Sequence, residues 1–174
     1  IQANSGGLIV SSTGRVNALA FNNRASNSIV EQGGIINAEA VYAYGGLLTI
    51  NGTVAQSVSE NISQNILIDS AAAVKVSSTG KLSAKGGYGN IHIDGVLDIS
   101  GGKNSVITSG NWGLRIRDGG RLILRSTDAI SNSETGEQSN YVFWAYSGNT
   151  FIDILADNSF NSFAMVKKSN LTVT

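Results

Sequence analysis

The chain has no cysteine and no proline, one histidine, one methionine and two tryptophans among its 174 residues. Without cysteine there is no disulfide framework and no thiol nucleophile, and the fold needs no oxidising compartment. Without proline, every residue keeps an N–H that a strand ladder can use. A single histidine, His92, rules out a multi-histidine zinc site and leaves only itself as a triad base. Charge is sparse and balanced, with twelve acidic and twelve basic residues, so there is no overall field to draw in nucleic acid or an anionic membrane. No run of apolar residues is long enough for a membrane-spanning helix. The chain opens at Ile1 without a methionine, a basic segment or an apolar leader, so it is expected to be an internal piece of a longer protein.

What is present is glycine, serine, asparagine, threonine, alanine, valine and isoleucine. This mixture of turn formers and β-branched residues reads as many short strands joined by tight corners. One pattern recurs: an apolar residue, two variable ones, a small turn residue, Gly, one residue, then two apolar residues at alternate positions. It occurs as Val10-Ser-Ser-Thr13-Gly14-Arg-Val16-Asn-Ala18, Val30-Glu-Gln-Gly33-Gly34-Ile-Ile36-Asn-Ala38 and Tyr42-Ala-Tyr-Gly45-Gly46-Leu-Leu48-Thr-Ile50. It returns as Val76-Ser-Ser-Thr79-Gly80-Lys-Leu82-Ser-Ala84, Ile91-His-Ile-Asp94-Gly95-Val-Leu97-Asp-Ile99 and Ile116-Arg-Asp-Gly119-Gly120-Arg-Leu122-Ile-Leu124. A weaker copy runs from Leu48 through Asn51-Gly52 to Val54.

Alternate residues of a strand face the same way, so the apolar residues on both sides of each glycine can share one interior. The glycine is expected to supply a positive φ at the bend. A β-hairpin and a β-helix both use such a corner. Small flanking residues (Ala18, Ala38, Ala84) and glycine separations of 20 and 18 residues from Gly14 to Gly34 to Gly52 favour the helix. The expected fold is all-β, a right-handed parallel β-helix (β-solenoid). At roughly 20 residues per coil it has about eight coils and is roughly 40 Å long. Residues 1–174 are read as a single β-helix domain. Repeat coils span about 5–125, and aromatic-rich terminal coils or a cap span about 141–174. No window sustains a helical period.

A polar, acidic loop is expected over residues 126–140. Beyond it the aromatics gather: Tyr141, Phe143, Trp144, Tyr146, Phe151, Phe160 and Phe163. Their first reading is a bulkier core. Their second is a platform for sugar rings or a partner protein. The strands expected there cover residues 141–146, 151–155, 163–167 and 171–173.

Chemistry-bearing groups are few. His92 lies between Ile91 and Ile93 and is expected to point outward as a surface residue without a role. Asp94, Asp98 and Asp118 lie near corners, where Asp bonds the bent backbone; Asp69, Asp94 and Asp118 could stack along one edge. No catalytic residue, no metal site and no cofactor is expected. The sharpest cluster is Arg115, Arg117, Arg121 and Arg125. Alternation puts Ile116, Leu122 and Leu124 inside and all four arginines outside around one corner, with Lys103 on a neighbouring coil. One reading is a solvated face balanced by Asp118 and Asp128. The other is a groove for an acidic glycan or a partner's carboxylates, which planar guanidinium groups match. Trp112 and Trp144 complete the candidate ligand-binding set.

Across residues 5–57, with echoes to Leu124, the corner pattern resembles the passenger repeats of self-associating autotransporter adhesins of Gram-negative bacteria. The likeness lies in Val30-Glu-Gln-Gly33-Gly34, Tyr42-Ala-Tyr-Gly45-Gly46 and Ile116-Arg-Asp-Gly119-Gly120. Gram-positive adhesin stalks of pectate-lyase-like fold look similar. The irregular spacing and the aromatic C-terminal end depart from the autotransporter pattern. The resemblance implies a non-catalytic adhesin segment, extracellular on a bacterial cell surface or secreted. Its partners would be further copies of itself, or a glycan or protein of a cell surface, with neither nucleic acid nor membrane insertion. The alternatives are a polysaccharide-binding or polysaccharide-degrading module and a passive stalk.

Overall fold

A computed structural model of the chain describes residues 1–56, 66–84, 90–108, 113–131, 143–158, 163–165 and 169–174. Within them lie nineteen strands, every pairing between strands is parallel, and there is no helix. Parallel pairing through every glycine corner excludes the hairpin and establishes a parallel β-solenoid. Among the described residues no helix is long and apolar enough to cross a membrane.

Each turn contributes to three walls. The first wall stacks residues 15–18, 35–38, 53–56, 81–84, 106–108 and 130–131. The second runs from Gln2–Ala3 through residues 20–23 and 41–43 to Ile66–Ile68, Ile91–Ile93 and Leu114–Arg117. It ends on the start of Phe143–Ile154 and on Phe163–Met165. The third stacks Ile9–Val10, Asn27–Val30, Gly46–Ile50, Ala72–Val76, Val96–Ile99 and Arg121–Leu124. The end of Phe143–Ile154 and Ser169–Val173 follow.

Register makes three apolar lines down the interior. They are Val16–Ile36–Val54–Leu82–Val106–Ile130, Phe21–Val41–Ile66–Ile91–Leu114–Phe143 and Val10–Val30–Ile50–Val76–Ile99–Leu124. All but Val16 are buried. Each such side chain contributes about 1.5–3 kcal/mol by leaving water, so the column of apolar residues is the main stabilising feature. The expected alternation holds: outward residues such as Asn17 and Asn37 form a polar ladder, Asn37 Nδ2 donating to Asn17 Oδ1 at 3.2 Å.

About six turns carry all three walls, fewer than the eight expected; the first wall holds six strand segments where the other two hold eight. The shortfall comes from one corner. Between the first and second walls, Val16 to Phe21 and Ile36 to Val41 span five residues each. Val54 to Ile66 spans twelve, and Ile130 to Phe143 thirteen. Extra length enters there while the other two corners stay short, so a fixed coil length overcounts the turns.

The glycine expectation needs correction. Positive φ belongs to Gly33, Gly46 and Gly119 among the motif glycines, and to Asp118 beside them. Gly34, Gly52, Gly80, Gly95 and Gly120 do not have it. They are glycines because a Cβ would strike a carbonyl oxygen of the preceding coil: Ser11 O at 2.7 Å for Gly34, Ile50 O for Gly80 and Ile93 O for Gly120. The motif also marks two different bends. Gly14, Gly34, Gly52 and Gly80 lead from the third wall into the first; Gly46, Gly95 and Gly120 lead from the second into the third.

The aromatic end continues the stack. Residues 143–146 and 151–154 belong to one strand, Phe143–Ile154, which crosses from the second wall to the third. Phe163–Met165 and Ser169–Val173 pair with it as a further layer. The rest of the expected polar loop, residues 132–140, lies outside the described residues, as do Tyr141, Phe160 and Trp112.

Candidate functional site

The arginine-bearing corner begins on Leu114–Arg117 in the second wall. Leu114 and Ile116 point inward and are buried, so Arg115 and Arg117 point outward, as their spacing demands. The bend Asp118-Gly119-Gly120 carries positive φ at its first two residues and is closed by the Gly120 N–H donating to Arg117 O at 2.8 Å. Arg121 then opens the third wall, with Leu122 and Leu124 inside, and Arg125 follows the strand. All four arginines face outward on two adjoining walls.

Three of them are held by carboxylates one coil away. Arg117 grips Asp94 with both forks: Nε donates to Oδ1 and Nη2 to Oδ2, each at 2.7 Å. Both side chains are about 20% exposed, so this pair is better shielded from water than the others. Arg121 Nη1 donates to Asp153 Oδ2 at 2.7 Å, and Arg125 Nε to Asp98 Oδ1 at 2.8 Å. Asp98 raises the pKa of Arg125 above its ordinary value. The Asp153 carboxyl is held below its ordinary value, first by the Thr174 hydroxyl donating to it at 2.6 Å and then by Arg121. Ion pairs at a surface are individually weak, but bidentate geometry adds orientation as well as energy.

Arg115 lies apart from this set. It shares the outward line of the second wall with Tyr42, Leu67, His92 and Trp144. Its guanidinium is 5.5 Å from the centre of the Tyr146 ring. Burial lowers its pKa, Tyr146 opposes that shift, and neighbouring Arg117 adds to it; an arginine stays charged throughout. Arg121 likewise covers the Phe151 ring at 5.0 Å.

Of the six residues proposed from sequence, Arg115 and Trp144 meet as register partners on the second wall. Arg117, Arg121 and Arg125 form a separate ladder of ion pairs, and Trp112 lies outside the described residues. The acidic partners differ from those expected. Asp118 accepts from Ser147 Oγ at 3.0 Å instead, and its neighbour Arg117 reaches Asp94. Asp69 and Asp94 each follow register partners, Ile68 and Ile93; the residue after Ile116 is Arg117, so an aspartate edge gives way to an aspartate–arginine pair. Lys103 is an exposed turn residue between the third and first walls.

His92 requires a correction. It does point away from the interior line of Ile91 and Ile93, but it is only 2% exposed, with Leu67 and Arg115 as its register partners. Strand alternation sets direction, and exposure depends on what covers the wall.

One surface group escaped sequence reading. The Tyr42 and Tyr44 rings stack at 5.5 Å, and Arg24 lies 4.3 Å over Tyr44. The signal was available: two tyrosines two apart near a strand end share a face. Among the described residues no group of three or more His, Cys, Asp or Glu side chains is arranged to hold a metal ion. In comparisons with protein families, curated proteins and solved structures, nothing matches this chain.

Proposed function

We propose that this solenoid is a non-catalytic adhesive segment of a cell-surface or secreted protein, contacting further copies of itself or surface glycans through its outward walls. The observation that carries this reading is the stack itself. Register stacks outward positions coil upon coil and at both ends sets like polar groups side by side, as in the Asn17–Asn37 pair and the Asn149–Asn170 pair. Repeated weak contacts add up when many copies act together. The arginines belong to the same surface, and Arg117, Arg121 and Arg125 are each exchangeable between an aspartate and a ligand carboxylate.

The ion pairs also favour a second reading, a passive stalk. Arg117–Asp94, Arg121–Asp153 and Arg125–Asp98 each join different coils and would stiffen a spacer.

Beads coated densely with the domain separate the two. Adhesion predicts that beads cluster, or bind immobilised acidic glycans or cells, and that reversing Arg115, Arg117, Arg121 and Arg125 to Glu weakens binding. Beads that remain dispersed and bind nothing leave only the stalk. Appearance of new reducing ends or unsaturated products on incubation with acidic polysaccharides, with or without calcium, would overturn both readings in favour of an enzyme.

A further inference from the structure

Six outward residues on three successive coils form a patch beside the second wall's bend into the third. One register line holds Asn22, Tyr42 and Leu67. The other holds Arg24, Tyr44 and Asp69, which directly follow the register partners Asn23, Ala43 and Ile68. Backbone bonds continue that line: the Tyr44 N–H donates to Asn23 O and the Asp69 N–H to Ala43 O, each at 2.8 Å. One step along a line is about 4.8 Å, so the backbones of Arg24 and Asp69 stand about 10 Å apart, with Tyr44 between them. None of the six is fully buried, and Arg24 is exposed. A Cβ on Gly45, next to Tyr44, would meet nothing within 4 Å, so the surface there is open.

The polar groups of this patch have capacity to spare. Among the described residues, no hydrogen bond or ion pair holds the Arg24 guanidinium; its contact is the Tyr44 ring, 4.3 Å away at the centre. The ring attracts the charge but leaves the N–H donors available to an acceptor. Tyr44 in turn stacks on Tyr42, with centres 5.5 Å apart and planes 26° apart. Asp69 receives the Ser70 hydroxyl and the Ala71 N–H on Oδ1 alone, at 3.3 and 3.2 Å, so Oδ2 has no donor. Asp94, the next residue along the line, differs: Arg117 occupies both of its oxygens. One line thus carries a closed ion pair and, beside it, a cation and an anion kept apart by aromatic rings.

We propose that this patch binds one acidic sugar residue of a glycan, with its carboxylate on Arg24, the apolar face of its ring on the tyrosine pair and a hydroxyl donating to Asp69 Oδ2. Each part of the ligand answers a group already in place. Aromatic surface takes an apolar ring face. An unpaired guanidinium takes a carboxylate. A carboxylate oxygen without a donor takes a hydroxyl, and its charge repels a second acid group. The proposal deepens the adhesive reading, on which it rests for the source of the glycan, and it uses none of the four arginines of the other corner.

The test is an NMR titration of the 174-residue protein with a disaccharide of glucuronate and N-acetylglucosamine, and with the methyl ester of that carboxylate. The Tyr42 and Tyr44 ring resonances are expected to shift with a Kd of about 1 mM, and the ester to bind at least about tenfold more weakly. Arg24→Gln and Asp69→Asn are each expected to weaken binding at least about fivefold with unchanged circular dichroism, whereas Arg125→Gln leaves it as it was. Tyrosine rings that do not respond to about 20 mM disaccharide overturn the proposal. So does an ester that binds as tightly as the acid, or unchanged binding by both Arg24→Gln and Asp69→Asn. N-acetylglutamate amide, a carboxylate on a peptide unit without a sugar ring, should bind at least about tenfold more weakly than the disaccharide; equal binding assigns the patch to a protein partner and overturns the proposal. Coated beads that bind acidic glycans equally well with and without Arg24→Gln refute this site and keep the adhesive reading. A soluble protein that binds the disaccharide here while its coated beads bind nothing keeps the site and refutes that reading.

Discussion

Two glycines with nearly the same sequence neighbours should respond very differently to the same methyl group. Neither Gly14 nor Gly80 has positive φ, so alanine meets no backbone penalty at either. At Gly80 the Cβ would lie inside hard contact with the Ile50 carbonyl, 3.1 Å from Ser77 N. The two coils must move apart to admit it. Overfilling a packed site costs about 1–3 kcal/mol. The movement also strains the bonds from Ser77 to Ile50 and from Lys81 to Gly52, each contributing about 1 kcal/mol. The sum for Gly80→Ala is about 3–5 kcal/mol. At Gly14 the nearest atoms are Val10 Cγ1 at 3.0 Å and Ser11 O at 3.1 Å. A shift of a few tenths of an ångström in the Val10 side chain and in the turn backbone at Ser11 admits it with no second coil displaced, and alanine restricts the unfolded chain in compensation, so Gly14→Ala should cost less than about 1 kcal/mol. Urea unfolding followed by tryptophan fluorescence, at concentrations where the protein is monomeric, compares the midpoints. Equal destabilisation of the two variants, or a neutral Gly80→Ala, would refute the account of these corners as places where one coil rests on another.

Further tests address the polar contacts. A double-mutant cycle on Asp94→Ala and Arg117→Ala should give a coupling of about 1–2 kcal/mol, between the values for exposed and buried pairs. The same cycle on Asp98 and Arg125, a more exposed pair, should give a smaller coupling that fades with added salt. Asp153 has a folded pKa below its ordinary 3.8. Its contribution is therefore fully present above the unfolded value and is lost as pH falls below 3.8 towards the folded one; Asp153→Asn should remove that part of the acid sensitivity of the urea midpoint. Asn23 is buried, donates to Gly45 O at 3.0 Å and accepts from Ser28 Oγ at 2.7 Å. Asn23→Ala should cost about 1–3 kcal/mol by removing the acceptor of the Ser28 hydroxyl, which keeps only the Leu8 N–H, and the side-chain donor to Gly45 O, as read from thermal unfolding.

The interior was legible because it depends on a period of two. Val16, Ile36, Val54 and Leu82 could be placed inside from their own neighbours, and they are register partners. The role of the glycines was only half legible. A sequence displays a strand, a bend and a strand, and both kinds of corner obey that rule, so one motif concealed two places in the coil. The reason for glycine was hidden as well, since the clashing carbonyl comes from a residue 18 to 30 positions earlier, such as Ile50 beneath Gly80. The bend between residues 20–23 and Asn27–Val30 uses buried Ala25 and no glycine, so no motif marked it.

Register also explains why the arginine cluster changed character. Read locally, Arg115, Arg117, Arg121 and Arg125 are four cations around one bend with Asp118 for company. Stacking brings in carboxylates from 23, 32 and 27 residues away for the last three, separations that depend on how much chain enters at the long corner. No local pattern encodes that sum. The consequence bears on the adhesive proposal. A ligand carboxylate approaching Arg117 must replace a two-pronged contact already made with Asp94, and the released aspartate then repels the newcomer. Exchange of one ion pair for another gains little, so single-site affinity for an acidic glycan should be low and fall with salt. An adhesin built this way depends on the number of coils and copies presented together, and removing density should abolish binding sooner than removing any one arginine.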